Sequence, residues 1–238
     1  MNKRGIMLSE IAFAHFPVLF KNNGLDFFIV DCEHGGFDYA DVARIVMNAR
    51  LANIFVMIRL PNNMRKDIIK YMDMGADGLL LPMTNTAADI AQVVKFAKYP
   101  PIGQRGISTM RAHTLYAPPK TEEYLPTANA RTKVYAQIET RKGLENVREI
   151  LNTAGVDGCF FGPNDFSADC GCLNNGNAPQ ALEAISEIGR AATNTQKTAG
   201  IITNNKNYLN AAKTCGFELY SVGSELGAIA EYCKKITI

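Results

Sequence analysis

The chain has 238 residues, 47% of them hydrophobic, and a formal net charge of +2. That length suits one sizeable core. A near-neutral balance without a basic run argues against nucleic acid or anionic membranes as partners, and no apolar stretch is long enough to span a bilayer.

At the amino terminus, Lys3-Arg4 precede an apolar run. Glu10 and His15 interrupt it, so the segment does not read as a signal peptide. Six cysteines, at 32, 159, 170, 172, 215 and 233, form no CxxC pair. Reduced thiols and a cytoplasmic location are therefore expected. A metal cluster of Cys159, Cys170 and Cys172 would lack the four ligands and wider spacing that structural zinc prefers.

Four places repeat a pattern of a helix-stopping Gly, one residue, an acid and an apolar run: Gly24-Leu-Asp26, Gly75-Ala-Asp77, Gly155-Val-Asp157 and Gly216-Phe-Glu218. Gly just past a helix accepts the left-handed conformation, so each marks a helix-to-strand junction. Helical patterns precede them, such as Glu10 to Asn22 and Ile90 to Lys98. Four more short strands fall between the junctions, at residues 5–8, 54–58, 134–138 and 200–202. Eight strands alternating with helices call for parallel pairing and right-handed crossovers. The expected fold is a (β/α)8 TIM barrel, one domain over residues 1–238. A doubly wound sheet would want a Gly-rich phosphate loop after the first strand, where Leu8-Ser9-Glu10 stands instead. One connection, from Tyr99 to about Lys133, is abnormally long and reads as a lid or an interface piece.

Barrel chemistry sits at the carboxyl ends of the strands. The second strand ends Asp31-Cys32-Glu33-His34, the third ends at Arg59, and the fifth ends Gln137-Ile-Glu139. After the sixth, Gly162-Pro163-Asn164 is expected to form a turn that delivers Asp165. Two carboxylates at one edge, Glu139 and Asp165, suit an octahedral divalent cation with water and substrate completing the shell.

Each residue also has a plainer use. Glu139 and Asp165 are candidate helix caps, His34 a turn histidine, Arg59 an ion-pair partner of Asp31 or Glu33, and Gln137 part of a polar barrel layer. Together they form a cluster that is expensive to build for stability alone. Cys32 close to His34 invites a thiol nucleophile, a reading set aside in favour of the carboxylate cluster. His15 falls in the first expected helix, away from the strand ends. His113 falls in the long connection with Arg105 and Arg111, either lining a lid or solvated.

Asp31-Cys-Glu-His34-Gly, Arg59, Tyr99-Pro-Pro-Ile-Gly-Gln-Arg-Gly, Gln137-Ile-Glu-Thr-Arg and Gly162-Pro-Asn-Asp-Phe-Ser-Ala-Asp, in that order, resemble the HpcH/HpaI family of metal-dependent pyruvate aldolases. The resemblance runs from Gly5 to about Gly227. It implies a TIM barrel that cleaves a 4-hydroxy-2-oxo acid reversibly to pyruvate and an aldehyde. Glu139 and Asp165 would hold Mg, Mn or Co, and Gln137 with the backbone at Asn164-Asp165 would line the pyruvate site. Arg59 would stabilise the enolate, and His34, through water, would take the hydroxyl proton.

An acid matching Asp73 is credited in the family with raising the basicity of that histidine. The chain order puts Asp73 at the wrong end of its helix for contact within one barrel, which makes Asp31 the nearer partner. The resemblance further implies a last helix exchanged between subunits of a homohexamer built as a trimer of dimers. Asn164, where Ala is usual, Cys32, where Gly or Leu is common, and the tract from Cys170 to Asn177 depart from the pattern and leave the aldehyde open. The alternatives are a CoA-ester lyase of the citrate lyase β-subunit type, a non-catalytic oxo-acid-binding barrel, and a mutase or hydrolase of the phosphoenolpyruvate type on the same fold.

Overall fold

A computed structural model describes residues 2–173 and 177–236. The first half comprises β1 (Lys3–Leu8), α1 (Phe16–Asn22), β2 (Phe27–Asp31), α2 (Tyr39–Ala52), β3 (Phe55–Arg59), α3 (Arg65–Met74), β4 (Gly78–Leu81) and α4 (Ala87–Ala97). A short 3-10 turn, Ala112–Thr114, and α5 (Thr121–Arg131) lead into β5 (Lys133–Ile138), α6 (Arg141–Glu145), α7 (Val147–Asn152) and β6 (Gly158–Phe161). The chain finishes with α8 (Pro163–Asp169), α9 (Pro179–Thr195), β7 (Thr198–Ile202), α10 (Lys206–Thr214), β8 (Leu219–Ser224) and α11 (Glu225–Lys234). The eight strands close a barrel in sequence order, β8 pairing back on β1, with every pair parallel.

The repeated Gly-x-acid junctions explain much of this closure. Gly24, Gly75, Gly155 and Gly216 all have φ between 79° and 100°, a backbone that favours glycine. The acid that follows ties the foot of one strand to its neighbour. Asp26 accepts the backbone N–H of Arg4 at 2.7 Å, Asp77 that of Val56 at 3.1 Å, and Asp157 that of Val134 at 2.9 Å. Glu218 departs from this, since its backbone carbonyl accepts the N–H of Lys3.

Inside the barrel, Met7, Phe27, Ile29, Met57, Leu80, Tyr135, Phe160 and Leu219 form one small core. Small residues make room for its rings. A Cβ on Gly5 would stand 2.5 Å from Phe27, and one on Gly200 2.6 Å from Phe160. The larger core lies between strands and helices, where residues such as Phe28, Ile58, Ile90 and Ile185 are fully buried. Each such side chain contributes roughly 1.5–3 kcal/mol by leaving water.

Several expectations need correction. The first helix starts at Phe16 rather than Glu10, with a proline at its start, so His15 precedes the helix and meets Phe13 edge-on. The stretch from Ser9 to Ile11 is held instead by Glu225, whose Oε1 accepts three successive backbone N–H groups there. The long connection is not one loop, because it contains the 3-10 turn and α5. It runs between the end of α4 and the start of β5, at the amino-terminal end of the barrel, so it does not cover its own barrel's mouth. His113 is neither solvated nor part of a lid. It is 6% exposed, with Nδ1 paired to the Tyr124 hydroxyl and Nε2 to the Ser108 carbonyl.

Candidate active site

Register places the first pair. Asp31 and Arg59 are direct partners across β2 and β3, at the last residue of each strand. Arg59 grips Asp31 through Nε at 2.9 Å and Nη2 at 2.5 Å, and reaches Glu33 through Nη1 at 3.3 Å. Asp31 also accepts the backbone N–H groups of Glu33 and His34. Burial pushes the Asp31 carboxyl up, but the bonds and charge of Arg59, with those two N–H groups, hold it below the usual range. Glu33 moves the other way, raised by burial against the pull of Arg59.

The second cluster stands on β5 and β6. Gln137 and Glu139 share one side of the strand end by period-two alternation, and the Gln137 amide donates to Glu139 Oε2. Met83, in the loop after β4, donates its backbone N–H to Glu139 Oε1 at 2.5 Å. Its φ of 48° is a left-handed conformation rarely adopted by a side chain of this kind. Gly162 leaves the space Glu139 occupies, since a Cβ there would lie 2.7 Å from Oε2 and 3.2 Å from Gln137 Nε2.

Glu139 is 3% exposed, and its carboxyl is pushed up to about 7. Burial is the main cause, the charges of Asp165 and Glu33 add to it, and Met83 and Gln137 oppose it. Asp165 is exposed and lies in the first turn of α8, because Pro163 begins a helix directly after Gly162. The expected turn is thus the start of a helix. Asn164 beside it is exposed as well.

The site fits a cation, with a definite limit. Among the described residues no group of three or more His, Cys, Asp or Glu is arranged to enclose an ion. Glu139 and Asp165 repel each other, and Gln137 Oε1 is buried without a hydrogen-bond partner among the described residues. Each Glu139 oxygen has a lone pair beyond the one its hydrogen bond uses. A hard cation held by two carboxylates and completed by water and substrate matches this donor set.

His34 is exposed at the rim, its side chain 71% accessible, with Nε2 3.8 Å from Glu33 Oε2. The expectation that Asp31 partners its ring is corrected. Asp31 meets only the backbone N–H of His34, because its carboxylate is committed to Arg59. Asp73 is not brought to this cluster. It lies near the end of α3 and pairs with Arg105 at 2.7 Å. Cys32 packs against the outer core, where burial pushes its thiol up to about 12, so it is no thiolate nucleophile. Cys159 is buried in that core, and part of the tract from Cys170 to Asn177 lies outside the described residues.

Met83 and Gly162 were missed as site residues. Met83 acts through its backbone, for which a sequence carries no signal. Gly162, within Gly-Pro-Asn, carries only a turn signal in sequence.

The model of the family described as HpcH/HpaI aldolase/citrate lyase matches residues 19–231. The chain belongs to this family. A 5-keto-4-deoxy-D-glucarate aldolase of Klebsiella pneumoniae is 30% identical over 213 residues, which is 90% of this chain and 82% of that one. A hydroxypyruvate/pyruvate aldolase of Roseobacter denitrificans is 29% identical over 229 residues, 95% and 88% of the two chains. The crystal structure of an HpcH/HpaI aldolase from Desulfitobacterium hafniense, 30% identical, matches with a TM-score of 0.93, covering 98% of this chain and 90% of that one. Family and relatives make this HpcH/HpaI member a carbon–carbon lyase of the aldolase type.

Proposed function

We propose that this aldolase cleaves a 4-hydroxy-2-oxo acid reversibly to pyruvate and an aldehyde, with a divalent ion held by Glu139 and Asp165. The observation that carries it is the meeting, at one barrel rim, of two mutually repelling carboxylates and a buried arginine. Mg, Mn or Co would each suit two carboxylates plus water. When bound, such an ion supplies Lewis-acid polarisation of the 2-oxo group.

The chain's own residues do the rest. His34, through water, takes the proton from the C4 hydroxyl. The C3–C4 bond then breaks, its electron pair moves toward the 2-oxo oxygen, and the aldehyde leaves. Arg59, fixed by Asp31 and Glu33, holds the enolate through its remaining N–H groups. Returning the proton to C3 gives pyruvate. Gln137 and the backbone at Asn164 and Asp165 orient the substrate. Asp73 remains a candidate only across a subunit boundary, since its own chain keeps it on Arg105.

Assembly as a hexamer, a trimer of dimers, is supported by the apolar residues that α11 and the chain just after it expose, Leu226, Ile229, Tyr232 and Ile236. Exchange of that helix between subunits would cover them. A cytoplasmic location rests on six cysteines that are all free.

The test is deuterium exchange into the methyl group of pyruvate, followed by proton NMR with Mn or Mg and then EDTA. Exchange that depends on metal is expected. No exchange with any divalent metal would overturn the proposal and favour CoA-ester chemistry or a binding role.

A further inference from the structure

At the opposite end of the barrel from Glu139 lies a cavity of about 90 Å³, among whose lining residues are Arg50, Arg105, His113, Tyr124, Ala128 and Arg131. Three elements bring the guanidiniums together: the last turn of α2, the connection after α4, and the end of α5. Arg105 pairs with Asp73, and Arg131 with Asp77 through Nε and Nη2. Arg50 pairs with no carboxylate among the described residues. It donates only to the carbonyls of Gly75 and His113, at 3.3 and 2.8 Å. Three cations thus face two anions.

The donors are also incompletely used. Nε of Arg50 and Nε of Arg105 are both buried without a hydrogen-bond partner among the described residues. Arg105 is only 3% exposed. Orphaned buried donors are uncommon in folded proteins and mark an absent partner. His113 does not alter the sum, because burial lowers its pKa and favours the neutral ring. Arg50 is likewise lowered, by burial and then by Arg131.

We propose that this cavity is a binding site for a small oxyanion, a carboxylate or a phosphate. The guanidinium fork suits paired oxygens, and the space exceeds the roughly 30 Å³ that one water occupies. One negative charge would balance the excess cation and give both orphaned Nε–H groups an acceptor. Arg131, its side chain 54% exposed, stands where the ligand enters. The bound anion would bridge α2, α5 and the connection, far from the carboxylate pair.

Titration calorimetry of the full chain, at fixed ionic strength in chloride buffer, tests this with inorganic phosphate and with acetate. Saturable binding of at least one anion is expected, and the two arms separate tetrahedral from planar ligands. Arg50→Gln should weaken it at least tenfold. Ala128→Leu fills the cavity without touching a charge, and should weaken it similarly even if the first variant folds poorly. Glu139→Gln should leave the affinity within twofold. No saturable binding of either anion, or affinity unaffected by Ala128→Leu, would overturn the proposal. Loss of binding in Glu139→Gln would overturn it too, by moving the anion to the carboxylate site.

Discussion

Replacing Glu139 by Gln separates what this carboxylate does for chemistry from what it does to the fold. Its folded pKa of about 7 lies above the ordinary 4.5. The folded protein therefore keeps a proton that the unfolded chain releases, and stability falls as pH rises from 4.5 through 7. At about 1.4 kcal/mol per pKa unit, that window amounts to roughly 3 kcal/mol. The substituted amide would carry no charge. Its carbonyl keeps the Met83 N–H, and its amino group takes the place of Oε2, so the Gln137 amide, which now donates there, has to flip for its Oε1 to accept.

In EDTA the variant should match the wild type near pH 5. Above pH 7 it should exceed the wild type by about 1–3 kcal/mol, each kcal/mol raising Tm by roughly 2–4 °C in a chain of this size. Circular dichroism melts from pH 5 to 8.5 measure this. Adding manganese at pH 8 should raise the wild-type Tm and leave the variant's unmoved, and metal-dependent exchange into pyruvate should be lost. A variant less stable than the wild type at pH 8, or an offset equal at every pH, would refute the reasoning.

Three other substitutions probe the rest of the rim. Arg59→Ala leaves Asp31, 2% exposed, as a buried charge without its partner, at about 3–5 kcal/mol of stability. It should slow both pyruvate exchange and aldol cleavage, and an effect on one step alone would contradict enolate stabilisation. His34→Ala removes an exposed side chain, so stability should stay within about 0.5 kcal/mol, while cleavage slows far more than exchange. Equal losses in the two assays would remove its role as hydroxyl base. Gly162→Ala meets no backbone strain at φ −105°, but its methyl would press on Glu139 Oε2. Manganese affinity, read by electron paramagnetic resonance titration, should fall about tenfold, and an unchanged affinity would show that the carboxylate tolerates the displacement.

The barrel was legible in the chain itself. Gly75-Ala-Asp77 and its counterparts announce junctions because a left-handed backbone after a helix favours glycine, and strands buried on both faces must read as apolar runs. Arg59, Gln137 and Glu139 were placed at the rim because strand ends can be counted in sequence. The helical start at Pro163 was less visible, since Gly-Pro-Asn serves turns and helix starts alike.

What tertiary structure alone decided is who meets whom. Register sets Asp31 opposite Arg59, and that ion pair takes the carboxylate away from the ring of His34, whose carboxylate neighbour is Glu33. Met83 enters the site by its backbone N–H, which every residue but proline possesses. His113 and the unpartnered Nε groups of Arg50 and Arg105 acquire meaning only when α2, α5 and the connection converge. Local pattern dictates periodicity and chain reversal, whereas burial and charge pairing depend on neighbours distant in sequence.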